Sequence, residues 1–145
     1  MGMRLAPALA TLALLWVFGL GQARADEGCA LPGQKPMLVV QLFFGQSQKN
    51  GEKGKGEIPA KAWNAFLRDA VTPRFPDGFT VTDGYGQWRD PATSKIVRER
   101  AKVVEIAAES APELGRKISE LTALYRAKFH QQSVGVVTSE GCGQF

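Results

Sequence analysis

The sequence predicts an α+β domain with four strands in one antiparallel sheet and two helices packed on a single face. Three observations carry this. Met37 to Phe44 is an almost continuous apolar run rich in β-branched and aromatic residues, which suits a central strand buried on both faces. Two segments, one after Pro59 and one after Ala111, place apolar residues at helical spacing. Between and after them, Phe79-Thr-Val-Thr-Asp, Lys95 to Ala107 and Ser133 to Thr138 have extended character. The order strand, helix, strand, strand, helix, strand fits the ferredoxin-like βαββαβ sandwich. In that topology the first and last strands are antiparallel neighbours, which brings Cys29 and Cys142 close together.

The first 25 residues have the anatomy of a secretory signal. Arg4 gives a weak positive start, Leu5 to Gly21 is apolar, and Ala23-Arg24-Ala25 offers the small-x-small pattern for cleavage. The expected mature domain is therefore 26–145. An uncleaved anchor is the alternative, since an apolar run of about 17 residues sits at the short edge of a membrane span. Lipidation at Cys29 is disfavoured by the preceding Asp26-Glu27. After cleavage no membrane association is expected, and the location is periplasmic or secreted. Removing Arg4 and Arg24 leaves 16 basic against 14 acidic side chains, a net charge of +2. That is too mild to imply a nucleic-acid partner. A chain of this length supports one modest core. In an oxidising compartment its two cysteines are expected to form a disulfide, closing a loop of about 110 residues for which chain entropy gives at most on the order of 4 to 5 kcal/mol.

Within the first strand, Leu38, Val40, Leu42 and Phe44 share one face; Met37, Val39 and Phe43 share the other, interrupted by Gln41. Gly45 to Glu57 has no apolar residue and reads as a solvated, mobile loop. No phosphate-cradle register can be drawn through its glycines. Pro59 suits a first helical turn, and Trp63, Phe66, Leu67, Ala70 and Val71 define one helical stripe that ends at Thr72-Pro73. After the turn Arg74 to Gly78, Phe79 and Val81 alternate with threonines, and Gly84 and Gly86 suggest a bulge or bend. Asp90 to Ser94 is a turn. Arg98, Arg100 and Lys102 share the parity of Val104 and Ile106, so either a bulge near Ala101 resets the face or the basic end projects beyond the covered sheet. Ser110-Ala-Pro-Glu113 reads as a capping box, and the helix it opens buries Leu114, Ile118, Leu121 and Tyr125.

Enzyme signatures are largely lacking: the sequence contains no Gly-x-Ser-x-Gly, no metal-ligand spacing and no nucleotide fingerprint. No cofactor and no metal are therefore expected. His130, the one histidine, reads as an exposed helix-end side chain. The densest collection of chemistry lies from Thr72 to Asp90. There Arg74 and Arg89 could bind a carboxylate, Asp77, Asp83 and Gln87 could hydrogen-bond, and Trp88 offers a flat platform. The same residues have structural uses, since Asp77-Gly78 and Asp83-Gly84 are turn formers and Arg74 could pair with a nearby carboxylate.

The chain resembles an uncharacterised bacterial exported family, domain of unknown function 3574. The resemblance is carried by Leu42-Phe43-Phe44-Gly45, the Pro73 to Val81 turn, Gln87-Trp88-Arg89-Asp90, Ile96-Val97-Arg98-Glu99 and the closing Cys142-x-x-Phe145. It brings no activity with it.

Three functional expectations compete. The first is a non-enzymatic periplasmic binding or interaction module for a small molecule, a homodimer through the open sheet face that two helices cannot cover. The second is a small cofactor-independent enzyme, similar to the dimeric α+β barrel oxygenases and isomerases. In it Trp88, Arg74 and Asp83 would orient a small aromatic or acidic substrate. The third is a structural envelope protein in which Thr72 to Asp90 only shapes a hairpin.

Overall fold

A computed structural model describes residues 28–49 and 55–145. The expected signal segment and the middle of the Gly45 to Glu57 loop lie outside the described residues.

The apolar run becomes the central strand β1 (Lys35–Gly45). Later in the chain come β4 (Thr80–Arg89), β5 (Ile96–Ala108) and β6 (Gly135–Gly143). They form one antiparallel sheet in the order β4-β5-β1-β6. The last strand runs further than its apolar residues foretell, because backbone pairing with β1 continues to Lys35 opposite Gly143. Beside that end, Cys29 and Cys142 form a disulfide with a Cα separation of 5.6 Å.

The loop expected to be mobile is partly a ribbon: β2 (Ser47–Lys49) pairs with β3 (Lys55–Glu57). Its anchor is Gln46, a buried amide residue in an otherwise polar segment. The backbone N–H of Gln46 donates to Arg100 O (2.9 Å), and its carbonyl accepts from Ile58 N (2.8 Å).

Helix α1 (Ala60–Phe66) begins directly after Pro59 and widens through Leu67–Val71, where Thr72 N–H donates to Leu67 O, five residues back. Trp63, Phe66, Ala70 and Val71 are buried, as the stripe requires. Helix α2 (Pro112–Phe129) buries Leu114, Ile118, Leu121, Tyr125 and also Phe129. The expected capping box is not made. Ala111 occupies the cap position, one residue beyond Ser110, and no side chain caps the helix. Glu113 instead accepts from Arg116 Nε (2.9 Å) on the next turn.

Val40, Leu42 and Phe44 of β1 join Val104 and Ile106 of β5 in one core with the buried faces of both helices. At its centre the Phe44 ring lies 4.6 Å from Tyr125, 5.5 Å from Trp63 and 5.8 Å from Phe66, centroid to centroid. The Tyr125 hydroxyl donates to Gly45 O (2.7 Å) and accepts from Gln46 Nε2 (3.0 Å), which also donates to Phe44 O (3.0 Å). Burial pushes the Tyr125 phenol well above its ordinary value; the Gln46 bond opposes this and the Glu99 charge adds to it.

A raised phenol pKa means that the folded protein keeps a proton the unfolded chain releases. The associated stability is complete below a pH of about 10 and is lost as pH rises beyond it. Tyr125→Phe is therefore expected to cost about 1–3 kcal/mol at neutral pH, through the lost bonds to the Gly45 carbonyl and the Gln46 amide, and to flatten the fall in stability above pH 10. Urea titrations of both proteins at neutral and alkaline pH read the two slopes. Equal slopes would show that another group governs alkaline unfolding.

Registry is unbroken along β4 and β5, from Thr80 opposite Glu105 to Arg89 opposite Ile96. The bulge suggested by Gly84 and Gly86 is thus not formed. Of the two readings for Arg98, Arg100 and Lys102, the projecting end is the one seen. These residues keep the parity of Val104, and the hairpin extends beyond the helices, leaving Tyr85 72% exposed.

Candidate ligand-binding site

On the sheet face turned away from the helices, strand parity places Gly86 of β4, Ala101 of β5, Gly45 of β1 and Gly135 of β6 around one region. These residues have almost no side-chain volume; the space over Gly86 is open, while the Glu99 carboxylate covers Gly45 and Phe43 lies against Gly135. Taller groups stand around the hollow: Trp88 from β4, Phe43 from β1, Ser47 and Gln48 from the ribbon, and His130 to Ser133 after α2. Together they enclose a cavity of about 650 Å³, within the usual range for small-ligand pockets.

Glu99 organises this end of the sheet. One carboxylate oxygen accepts from Trp88 Nε1–H (3.0 Å) and the other from the backbone N–H of Ser47 (3.2 Å). Its carboxylate lies directly over Gly45, where an added Cβ would come within 2.9 Å of both oxygens. Gly45→Ala should displace Glu99 and free the indole. The expected cost is about 1–3 kcal/mol for two charge-assisted bonds, with a red shift of Trp88 emission. An unchanged emission maximum with unchanged stability would contradict this placement.

Gly86 is the opposite case. It lines the cavity, and a Cβ on it would meet nothing within 4 Å. His130 closes α2 in the left-handed conformation (φ 55°), with its backbone N–H donating to Arg126 O. This turn carries Gln131 back over the ribbon, where its amide donates to Ser47 O. The His130 side chain is exposed, as its sequence position suggests, and also lines the cavity.

Of the six candidate residues, Gln87 and Trp88 line this cavity. Arg89 donates to Ser94 O (3.0 Å) within the hairpin turn. Asp83 pairs with Lys102 (2.5 Å), whose hydrogen bond and charge hold its carboxyl below the usual range. Its parity is that of Val81, the helix side of the sheet. Arg74 and Asp77 line a smaller cavity of about 160 Å³ near the opposite end of β5, beside Ala108 and Leu114. Arg74 donates to Ala70 O (2.9 Å) and pairs with Glu120 (3.4 Å), while its buried Nε has no partner. Arg74, Asp83 and Trp88 therefore do not share a site. Glu99, Phe43, Gln48 and His130 escaped the sequence reading as site residues, because tertiary structure alone, and not sequence proximity, brings them to the cavity that Trp88 lines. The signal available was the pairing of Gly86 opposite Glu99. Among the described residues there is no cluster of three His, Cys, Asp or Glu able to hold a metal. Nor, among them, is any helix long and apolar enough to cross a membrane.

The chain belongs to the family described as "Protein of unknown function (DUF3574)", which matches residues 40–145. No curated protein matches it significantly in sequence. Its fold is similar to that of a phage SAM lyase in complex with S-methyl-5'-thioadenosine, with a TM-score of 0.57 and 14% identity over 75% of this chain and 90% of that one. The phage SAM lyase in the apo state gives 0.53 and 19% identity, over 72% and 81%.

Proposed function

We propose that this member of the DUF3574 family is an exported, non-enzymatic binding module that takes a small molecule into the hollow beside Trp88. The observation that carries this reading is the pairing of the open space over Gly86 with an indole clamped by Glu99. A recess beside a fixed aromatic face is the kind of space that small ligands occupy. Export is supported by the leader pattern of residues 1–25 and by the disulfide. The sheet order, with β1 and β5 central, supports the ferredoxin-like form of the α+β class. A second copy is proposed to cover the open face, where Phe43 is 39% and Val137 53% exposed.

Native mass spectrometry of the protein purified from the periplasm tests both parts. A retained small molecule is expected on the wild type and not on Gly86→Leu, whose side chain would occupy the hollow. A bare wild-type protein that also ignores metabolite extracts would sink the binding reading. A monomer at high micromolar concentration by sedimentation would remove the dimer and leave the pocket standing.

The fold similarity to a SAM lyase favours one second reading, a small cofactor-independent enzyme using the same cavity. Here Trp88 would orient the substrate, with Glu99 and His130 as the ionisable groups beside it. Turnover of SAM followed by mass spectrometry checks this, and absence of product would remove the support that the fold similarity lends to it.

A further inference from the structure

We infer that the ligand of this cavity is a neutral saccharide, an assignment that rests on the binding-module reading above.

Hydrogen-bonding capacity inside the cavity divides sharply between charged and neutral groups. Glu99 spends both oxygens on Trp88 and Ser47, and Asp90 Oδ1 accepts from the N–H groups of Ala92 (2.8 Å) and Thr93 (3.2 Å). These carboxylates hold the walls together. Gln48 and Gln132, whose side chains end in neutral amides, line the same space. Each primary amide both donates and accepts, and so does each sugar hydroxyl, so the two match without any transfer of charge.

Trp88 completes the match. Its one polar atom is committed to Glu99, which leaves the indole as a flat apolar surface held at a fixed angle. Such a surface suits the C–H face of a pyranose ring, and Phe43 supplies a second apolar patch elsewhere in the lining. Among the described residues the charge pattern disfavours a phosphorylated or multiply anionic ligand. Of these, Lys95 is the one Lys or Arg lining the cavity, and it stands with Glu99 and Asp90. A phosphate group calls for several converging cations or a cradle of free backbone N–H groups.

The test uses the exported chain with its disulfide intact and follows Trp emission during titration with maltotriose, cellotriose and N-acetylchitotriose. S-methyl-5'-thioadenosine serves as a planar, nucleoside-type comparison. Trp63 is buried in the core and contributes a constant background. A saturable shift is expected with at least one trisaccharide below about 10 mM. In Gly86→Leu the affinity should fall at least about tenfold with no loss of thermal stability, because the added side chain points into open space and not into the core. A shift with S-methyl-5'-thioadenosine and with none of the sugars overturns the saccharide assignment and keeps the pocket. No shift with any probe, together with identical native mass spectra for wild type and Gly86→Leu, overturns the assignment and the binding module together.

Discussion

Phe44→Ala should cost about 3–5 kcal/mol, the range for truncating a fully buried aromatic side chain. That is a large fraction of the roughly 5–15 kcal/mol that separates folded from unfolded states in domains of this kind. The Phe44 ring is inaccessible to solvent and touches both helices at once, through Trp63 and Phe66 on one side and Tyr125 on the other. Its removal leaves a void that neither helix can enter freely. Tyr125 is tied to Gly45 O and Gln46, so α2 cannot slide toward the sheet without breaking buried hydrogen bonds. The cost should therefore fall near the top of the range. Equilibrium urea unfolding should show a lower midpoint with an unchanged slope. A loss below about 1.5 kcal/mol would mean that the aromatic cluster repacks.

The second large effect is expected at the disulfide. Replacing both Cys29 and Cys142 with Ala should lower stability by about 2–5 kcal/mol. The bond spans a sequence separation of 113, so its loss releases nearly the whole described chain in the unfolded state. It also frees the start of β1 from the end of β6, where Pro36 pairs with Cys142. Reduced wild-type protein and the double variant should melt together. A double variant as stable as the oxidised protein would show that the ladder between β1 and β6 is sufficient by itself.

The parts of the fold that were legible in the sequence are those in which a side chain's own chemistry states its environment. Val40, Leu42 and Phe44 alternate on one face of β1, and Trp63, Phe66 and Val71 recur at helical spacing; both patterns are direct records of a buried face. The ribbon of β2 and β3 was hidden because Gln46, its buried anchor, looks like any polar loop residue until Tyr125 is seen above it. The capping box failed by one position, since Ser110 lies before the cap and Ala111 occupies it. Gly84 and Gly86 were read for backbone freedom, yet neither adopts a positive φ. In β4 their effect is on volume, and volume at a pocket floor depends on which neighbours stand across the sheet. For the same reason Gln87 and Trp88 could be singled out from local composition, whereas Glu99, Gln48 and His130 could not. They come to the same cavity from separate parts of the fold, Glu99 through the pairing of β4 with β5 and the other two through the ribbon and the end of α2.

Because Cys29 and Cys142 are bonded, the chain between them is a closed ring. A single cut anywhere in that ring, for example at the exposed Pro91-Ala92-Thr93 turn, opens the ring without dividing the molecule. The nicked protein would keep both fragments, gaining only the water of hydrolysis, and, with β4 and β5 still paired on either side of the break, most of its sheet. Only a reductant would let the two pieces part. Proteolytic damage would thus stay silent by size until the thiols are released.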